Sequence, residues 1–275
     1  LLVDGRVILL LGSEERLAVA YSAATGELLW TTPGGPVRNA YGALIPVQIG
    51  NRKVVAGLVQ QGQVAIDAAT GELLWLDTIP ELDDTHLGAG PLRTFASPPI
   101  YRDGELVRTL IDYEQGARLG ARMGRLDGTT LRPTTAWNQP AFGVHYGGAA
   151  LWNETLYGVA SYDRRQANPE EEDPQISLMA VHWATGKIVG DLPFKGIGKA
   201  PLIIADGLLI AYGGDGIVVL VEVNGGDMRI TGRLRINFGS GPHITSPALA
   251  DGILYIRHHA TMATYDLRQT NLLEQ

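Results

Sequence analysis

The apolar residues of this chain fall into short stretches of four to seven, each ended by a turn rich in Gly, Asp or Asn. Leu202-Ile203-Ile204-Ala205 meets Asp206-Gly207 and resumes as Leu208-Leu209-Ile210-Ala211-Tyr212. An Asp-Gly pair between two apolar runs predicts a β-hairpin with a two-residue type I′ corner. Gly213-Gly214-Asp215-Gly216 then leads into Ile217–Val223, a third strand. A fourth closes the unit, as Glu27–Thr31 and Glu72–Leu76 do elsewhere. No stretch longer than a turn or two carries the 3.6-residue apolar period of a helix. The expectation is an all-β chain.

The same unit returns along the sequence. Ala20-Tyr21-Ser22-Ala23-Ala24-Thr25-Gly26-Glu27-Leu28-Leu29-Trp30 reappears 45 residues later as Ala65-Ile66-Asp67-Ala68-Ala69-Thr70-Gly71-Glu72-Leu73-Leu74-Trp75. Weaker copies lie at Arg125–Thr130 before Trp137, at Val181–Lys187 and at Thr264–Arg268, and the copy around Val221–Gly226 is the most decayed. Hairpin corners keep the same phase, at Asp4-Gly5, Gly50-Asn51, Asp103-Gly104, Asn153-Glu154, Asp206-Gly207 and Asp251-Gly252, spaced by 45 to 53 residues. Four antiparallel strands in a repeat of this length describe a β-propeller blade, with six blades in this chain. The predicted blades are 1–38, 39–92, 93–140, 141–195, 196–240 and 241–275, within one domain. Gly26, Gly71 and Gly186 are expected at positive φ between third and fourth strands, with Thr or Asp side chains capping the turn amides. Trp30, Trp75 and Trp137 are expected to be structural. The first two are placed between neighbouring blades, burying their rings and giving the indole N–H to a backbone carbonyl.

Composition narrows the function classes. A net charge of -7, with Arg scattered along the chain, excludes a general nucleic-acid binder, which needs clustered cations against phosphate. No cysteine is present, which removes disulfides, zinc thiolates and cysteine nucleophiles together. No apolar run reaches the roughly 18 residues of a membrane-spanning helix. The chain starts at Leu1, and a leader or preceding blades are expected upstream of it.

The Ala-x-Asp-x-x-Thr-Gly-x-x-x-Trp repeat resembles the PQQ-like propeller superfamily, whose members include quinoprotein dehydrogenases and the BamB-like outer-membrane assembly lipoproteins. Further segments resemble secreted PQQ-binding-like repeat proteins of planctomycetes and related bacteria: Asp112–Gly116, His145–Gly148, Gly196–Lys199, Val219–Asn224, Gly239–Pro247, Leu254–His258 and Tyr265-Asp266. The resemblance implies a quinoprotein-like, WD40-like fold in which eight blades are usual, this chain supplying the last six; a complete six-bladed ring is the alternative. It also implies a periplasmic or secreted location. Related dehydrogenases hold the quinone between a Trp and a disulfide of adjacent cysteines, with calcium on Glu, Asn and Asp. Half of that clamp is missing here, so no cofactor is expected: PQQ lacks its site, while Ca²⁺ stays open without a supporting ligand pattern.

Other motifs fail on context. Gly213–Gly216 joins two strands instead of opening a helix, so it is not a dinucleotide loop. Gly239-Ser240-Gly241 lacks the nucleophile-elbow spacing. The acidic run Asn168–Pro174 reads as a solvated loop. His258 and His259 are neighbours on a strand and point to opposite faces. One constellation remains. The first strand of each blade lines a propeller's channel, and counting back eight residues from the corner gives Phe95, His145, Gly198 and His243. Lys199 follows one position on, and Tyr41 and Arg93 fall near the same level. Tyr41, Arg93, His145, Lys199 and His243 together suit an anionic or sugar-like ligand at a channel mouth. The reading is a non-catalytic binding or scaffold propeller of the cell envelope that takes other proteins or a small polar ligand. The alternatives are a quinoprotein-like oxidoreductase and a carbohydrate-active enzyme working at that mouth.

Overall fold

The computed structural model describes residues 1–78, 95–110, 120–126, 133–162, 175–194, 197 and 199–268, and among them there is no helix. The chain divides into two compact units, Leu1–Tyr146 and Gly147–Gln275. In the first unit, one antiparallel sheet holds β1 (Leu2–Val3), β2 (Arg6–Leu10), β3 (Arg16–Ser22) and β4 (Leu28–Pro33). The next holds β5 (Ile45–Ile49), β6 (Arg52–Val59), β7 (Gly62–Asp67) and β8 (Leu73–Thr78). The third holds β9 (Ile100–Arg102), β10 (Glu105–Leu110), β11 (Gly120–Leu126) and β12 (Pro133–Gln139).

The second unit begins inside β13 (Val144–Trp152), which pairs in order with β14 (Thr155–Tyr162), β15 (Gln175–His182) and β16 (Ile188–Pro193). Its next sheet is β17 (Leu202–Ala205), β18 (Leu208–Tyr212), β19 (Ile217–Asn224) and β20 (Asp227–Arg235). The last has three strands among the described residues, β21 (Ala248–Ala250), β22 (Ile253–His258) and β23 (Thr261–Asp266). Every sheet is a simple up-and-down meander, as the sequence period requires.

The corners fall where the apolar runs break. Asp4-Gly5, Asp103-Gly104, Asp206-Gly207 and Asp251-Gly252 each have positive φ at both residues, as a type I′ corner demands. At Gly50-Asn51 and Asn153-Glu154 only the first residue is left-handed. The Thr-Gly turns also match their chemistry. Asp67 Oδ1 accepts from the amides of Ala69 at 2.9 Å and Thr70 at 3.0 Å, and Thr70 Oγ1 accepts from the Glu72 amide. Gly26, Gly71 and Gly186 sit at φ of 75°, 77° and 67°.

A β-bulge recurs between third and fourth strands. Ala20 pairs with Trp30 and Tyr21 with Leu28, so Leu29 is the extra residue. The same skip occurs at Leu74 opposite Ala65/Ile66, at Ala136 opposite Met123/Gly124, at Val189 opposite Ala180/Val181 and at Thr231 opposite Leu220/Val221. The residue after the bulge is Trp30, Trp75, Trp137, Gly190 and Gly232 in turn.

Packing between consecutive sheets explains that alternation. Trp30 lies on the β7–β8 turn of the next sheet, its Nε1 donating to Ala68 O at 3.3 Å, while buried Thr32 donates to Gly71 O at 2.7 Å. Trp75 is buried with Leu106 and against Tyr101 and Leu126 of the third sheet. Trp137 is buried too, but Trp75 Nε1 meets no acceptor among the described residues. The expected shared indole bond therefore holds for Trp30 and not for Trp75. At Gly190 no side chain fits, because an added Cβ would lie 2.5 Å from Gly226 O. There the β19–β20 hairpin tip, Gly225-Gly226, comes in directly, and fully buried Tyr157 donates to Gly225 O at 2.8 Å. This tight tip replaces the Thr-Gly turn, which is why that copy of the repeat looks decayed. An ion pair also joins two sheets, buried Arg108 on β10 to half-buried Asp77 on β8 at 3.4 Å.

Candidate functional site

Each first strand is entered through a short segment, and in each unit these segments are stitched to their neighbours. In the first unit the amides of Tyr41 and Gly42 donate to Phe95 O at 3.0 and 2.9 Å. Gly42 is required there, since a Cβ would come 2.7 Å from Ser97 O. Ser97, itself buried, donates its hydroxyl to His145 O. Tyr41 and His145 thus lie on segments joined through Phe95–Ser97. Tyr41 is 66% exposed, and the half-buried His145 ring sits edge-on to Tyr146 at 5.2 Å.

In the second unit Lys199 and His243 both border the Gly213–Gly216 turn. Lys199 O accepts from the Gly214 amide at 3.0 Å, and the His243 ring lies against Gly216, 2.7 Å from where a Cβ would stand. Arg93 and Gly198 lie outside the described residues. At the level counted back eight from the corner, Phe95 is buried and His243 is half-buried. One position on, Ala43 and Ile244 are exposed, while Ala96, Tyr146 and Lys199 are half-buried.

His243 does not stand alone. Its Nδ1 is 2.5 Å from the hydroxyl of Tyr212, and its ring stacks on His258 at 3.7 Å between centroids, 24° from parallel. Burial, then the neighbouring His258, hold the His243 pKa below its ordinary 6.5, with Arg235 acting in the same sense and Asp215 against it. Burial raises the Tyr212 phenol, and Tyr265 adds to this. Sequence reasoning did not assign Tyr212 and His258 to this cluster. His258 carried a usable signal: Leu254, Ile256 and His258 alternate as the buried face of β22, and His259 is exposed beyond it.

Among the described residues no group of three or more His, Cys, Asp or Glu is placed to hold a metal ion. The acidic run Asn168–Pro174 lies outside them. A cleft of about 520 Å³ in the first unit is lined by Gly12, Ser13, Glu14, Gly35–Asn39, Gln60 and Gln61. Its amides are largely spent on its own walls, Gln61 donating to Pro36 O and Gln60 to Asn39 O.

A family model described as outer membrane protein assembly factor BamB matches residues 2–189. The chain belongs to this PQQ-like repeat family. BamB from Moraxella catarrhalis superposes with a TM-score of 0.61 at 16% identity, over 96% of this chain and 70% of that one. The computationally designed Ika8 protein gives 0.62 at 13% identity, over 97% and 69%. A europium-containing methanol dehydrogenase gives 0.54 at 13%, over 92% and 60%. No curated protein matches. At these identities the structural likenesses establish the fold, an all-β propeller of antiparallel blades. No helix among the described residues is long and apolar enough to cross a membrane.

Proposed function

We propose that the chain is a non-catalytic binding module of the bacterial cell envelope, periplasmic or secreted, which engages another protein through the segments entering its first strands. The observation that carries this reading is the family match to an outer membrane assembly factor across residues 2–189. The exposed Tyr41 in the first unit and Ile244 in the second, at 66% and 59%, support it by offering apolar area beside polar backbone, the usual make-up of a protein contact. Small polar ligands at Tyr41 and His145 in the first unit, or at Lys199 and His243 in the second, are the subordinate case.

A quinone of the dehydrogenase type does not fit these residues. The chain has no cysteine for the clamp. Its tryptophans are already packed: Trp30 against Gly71, Trp152 against the core of its unit, and Trp75, Trp137 and Trp183 buried.

The test places a photo-crosslinking residue at Tyr41, at Ile244 and, as a control, at the exposed turn residue Glu27. Discrete protein adducts from the first two sites and none from Glu27 are expected. In parallel, the purified protein is mixed with PQQ and Ca²⁺ and assayed for dye reduction with alcohols and sugars. Turnover there, or adducts from Glu27 alone, would refute the proposal.

A further inference from the structure

The cleft of about 520 Å³ in the first unit is enclosed by the β2–β3 loop, the segment between β4 and β5 and the β6–β7 turn, and its size suits a small ligand. Its walls are fixed. Ser13 closes the β2–β3 loop through reciprocal bonds with Arg16, and the Gly34 amide donates to Glu15 O at 3.0 Å. A Cβ on Gly12 would lie 2.1 Å from the Asn39 nitrogen, and one on Gly34 2.3 Å from Ser13 O, so loop and segment meet backbone to backbone.

The β6–β7 turn takes up alternate residues of that segment. Arg38 donates its amide to Gln61 Oε1 at 3.0 Å, and its carbonyl accepts from the Gln60 amide at 2.9 Å. Pro36 O accepts from Gln61 Nε2 at 2.9 Å. Gly35 and Val37 are left over: their backbone N–H and C=O groups have no partner among the described residues. Two charges are also unspent. The Arg38 guanidinium and the Glu14 carboxylate line the cleft from different walls, both residues are exposed, and neither side chain is paired among the described residues.

We propose that this cleft captures the carboxylate end of a short extended peptide. Each leftover group has its complement there. Arg38 takes the terminal carboxylate through the parallel N–H donors of its guanidinium. Gly35 and Val37 exchange hydrogen bonds with the last peptide groups, as an added strand does. The terminal side chain lies on Pro36 and on Val37, which is itself backed by the core of the unit. Glu14 takes a cation, either the free amino group of a dipeptide or a basic side chain of a longer chain. A phosphate would meet Glu14 and two bare carbonyls, and a neutral sugar would leave Arg38 unpaired. The site is separate from the contact at Tyr41 and Ile244, so its failure would leave that contact standing.

Isothermal titration calorimetry on the full chain tests this with three probes: the dipeptide Ala-Leu, N-acetyl-Ala-Ala-Leu, and the C-terminal amide of the latter. The acetylated acid is expected to bind with a Kd below about 1 mM, and its amide at least about tenfold more weakly. Arg38→Gln should remove that difference. Tighter binding of Ala-Leu, with the advantage lost in Glu14→Gln, identifies free short peptides as the source. Equal or tighter binding of the acetylated tripeptide identifies the C-terminus of a protein. Gly35→Leu provides a plug: Gly35 is not left-handed, and a Cβ on it meets nothing within 4 Å. That variant should keep its thermal unfolding midpoint and lose binding. Acid probes that bind more weakly than about 1 mM, acid and amide that bind alike, or a folded Gly35→Leu that binds like the parent chain would each overturn the site.

Discussion

Gly26 and Gly71 occupy the same turn in consecutive sheets at nearly the same φ, 75° and 77°, yet their surroundings differ. A Cβ on Gly26 would meet nothing within 4 Å. On Gly71 it would lie 2.6 Å from Trp30 Cε3 and 2.7 Å from Cδ2. Alanine in the left-handed region costs about 1–2 kcal/mol, partly offset by the reduced freedom of the unfolded chain, about 0.4–1 kcal/mol. Gly26→Ala should therefore destabilise by about 1 kcal/mol. Gly71→Ala carries the same backbone cost and also forces the indole back by roughly 1 Å to reach a normal carbon contact. Overpacking of this kind costs about 1–3 kcal/mol, and loss of the Trp30–Ala68 bond adds about 1 kcal/mol. The total is about 3–5 kcal/mol.

Urea denaturation followed by far-UV circular dichroism, with equal m-values as the check on comparability, measures both variants. In a Trp30→Ala background the extra cost of Gly71→Ala should vanish, leaving about 1 kcal/mol and a coupling of about 2–4 kcal/mol. Equal effects of Gly26→Ala and Gly71→Ala, or no coupling to Trp30, would refute the packing argument.

Trp75→Ala should lower stability by about 3–5 kcal/mol. Trp75→Phe should cost under about 1.5 kcal/mol, because the lost N–H has no acceptor among the described residues; thermal unfolding of the pair separates ring from N–H. Arg108→Ala should destabilise by about 2 kcal/mol in urea, since it empties a buried side-chain site. Asp77→Asn should do less, because the Asp77 side chain keeps 27% of its exposure and water can reach it. Tyr157→Phe removes the hydroxyl's bond to Gly225 O and its interaction with Thr155 and should cost about 1–2 kcal/mol, with faster amide exchange at the β19–β20 tip as its local signature.

The sheets were legible because corner and repeat are local chemistry. Asp-Gly between apolar runs dictates its own hairpin, and Thr70 and Asp67 cap a turn they belong to. The fifth copy of the repeat is read mainly from its corner and apolar runs, because its Asn224–Asp227 hairpin is shaped by Gly190 and Tyr157, distant in sequence, and has lost the Thr-Gly signature. The candidate site was legible only at the level of the backbone. Counting from the corner put Tyr41 near the level of Phe95 and Lys199 near that of His243; that Tyr41 is joined to Phe95, and Lys199 to the Gly213–Gly216 turn, came only from the structure. Counting could not tell which side chains reach solvent. Packing decides that: His243 turns onto His258 and Tyr212, and Ile244 next to it is left outside.

The bulge before Trp30, Trp75, Trp137, Gly190 and Gly232 has a bearing on solubility. A fourth strand is an edge, with a row of unpaired amides and carbonyls that a strand from another molecule could extend. One extra residue bends that strand and breaks the spacing of the row, so a flat incoming strand cannot keep register along it. Leu28, Leu29, Leu73, Ile188 and Val189 lie on or beside these bulges and are exposed, the combination that would otherwise invite edge-to-edge aggregation. The same kink thus keeps three apolar borders, at Leu28-Leu29, Leu73 and Ile188-Val189, from growing into fibres.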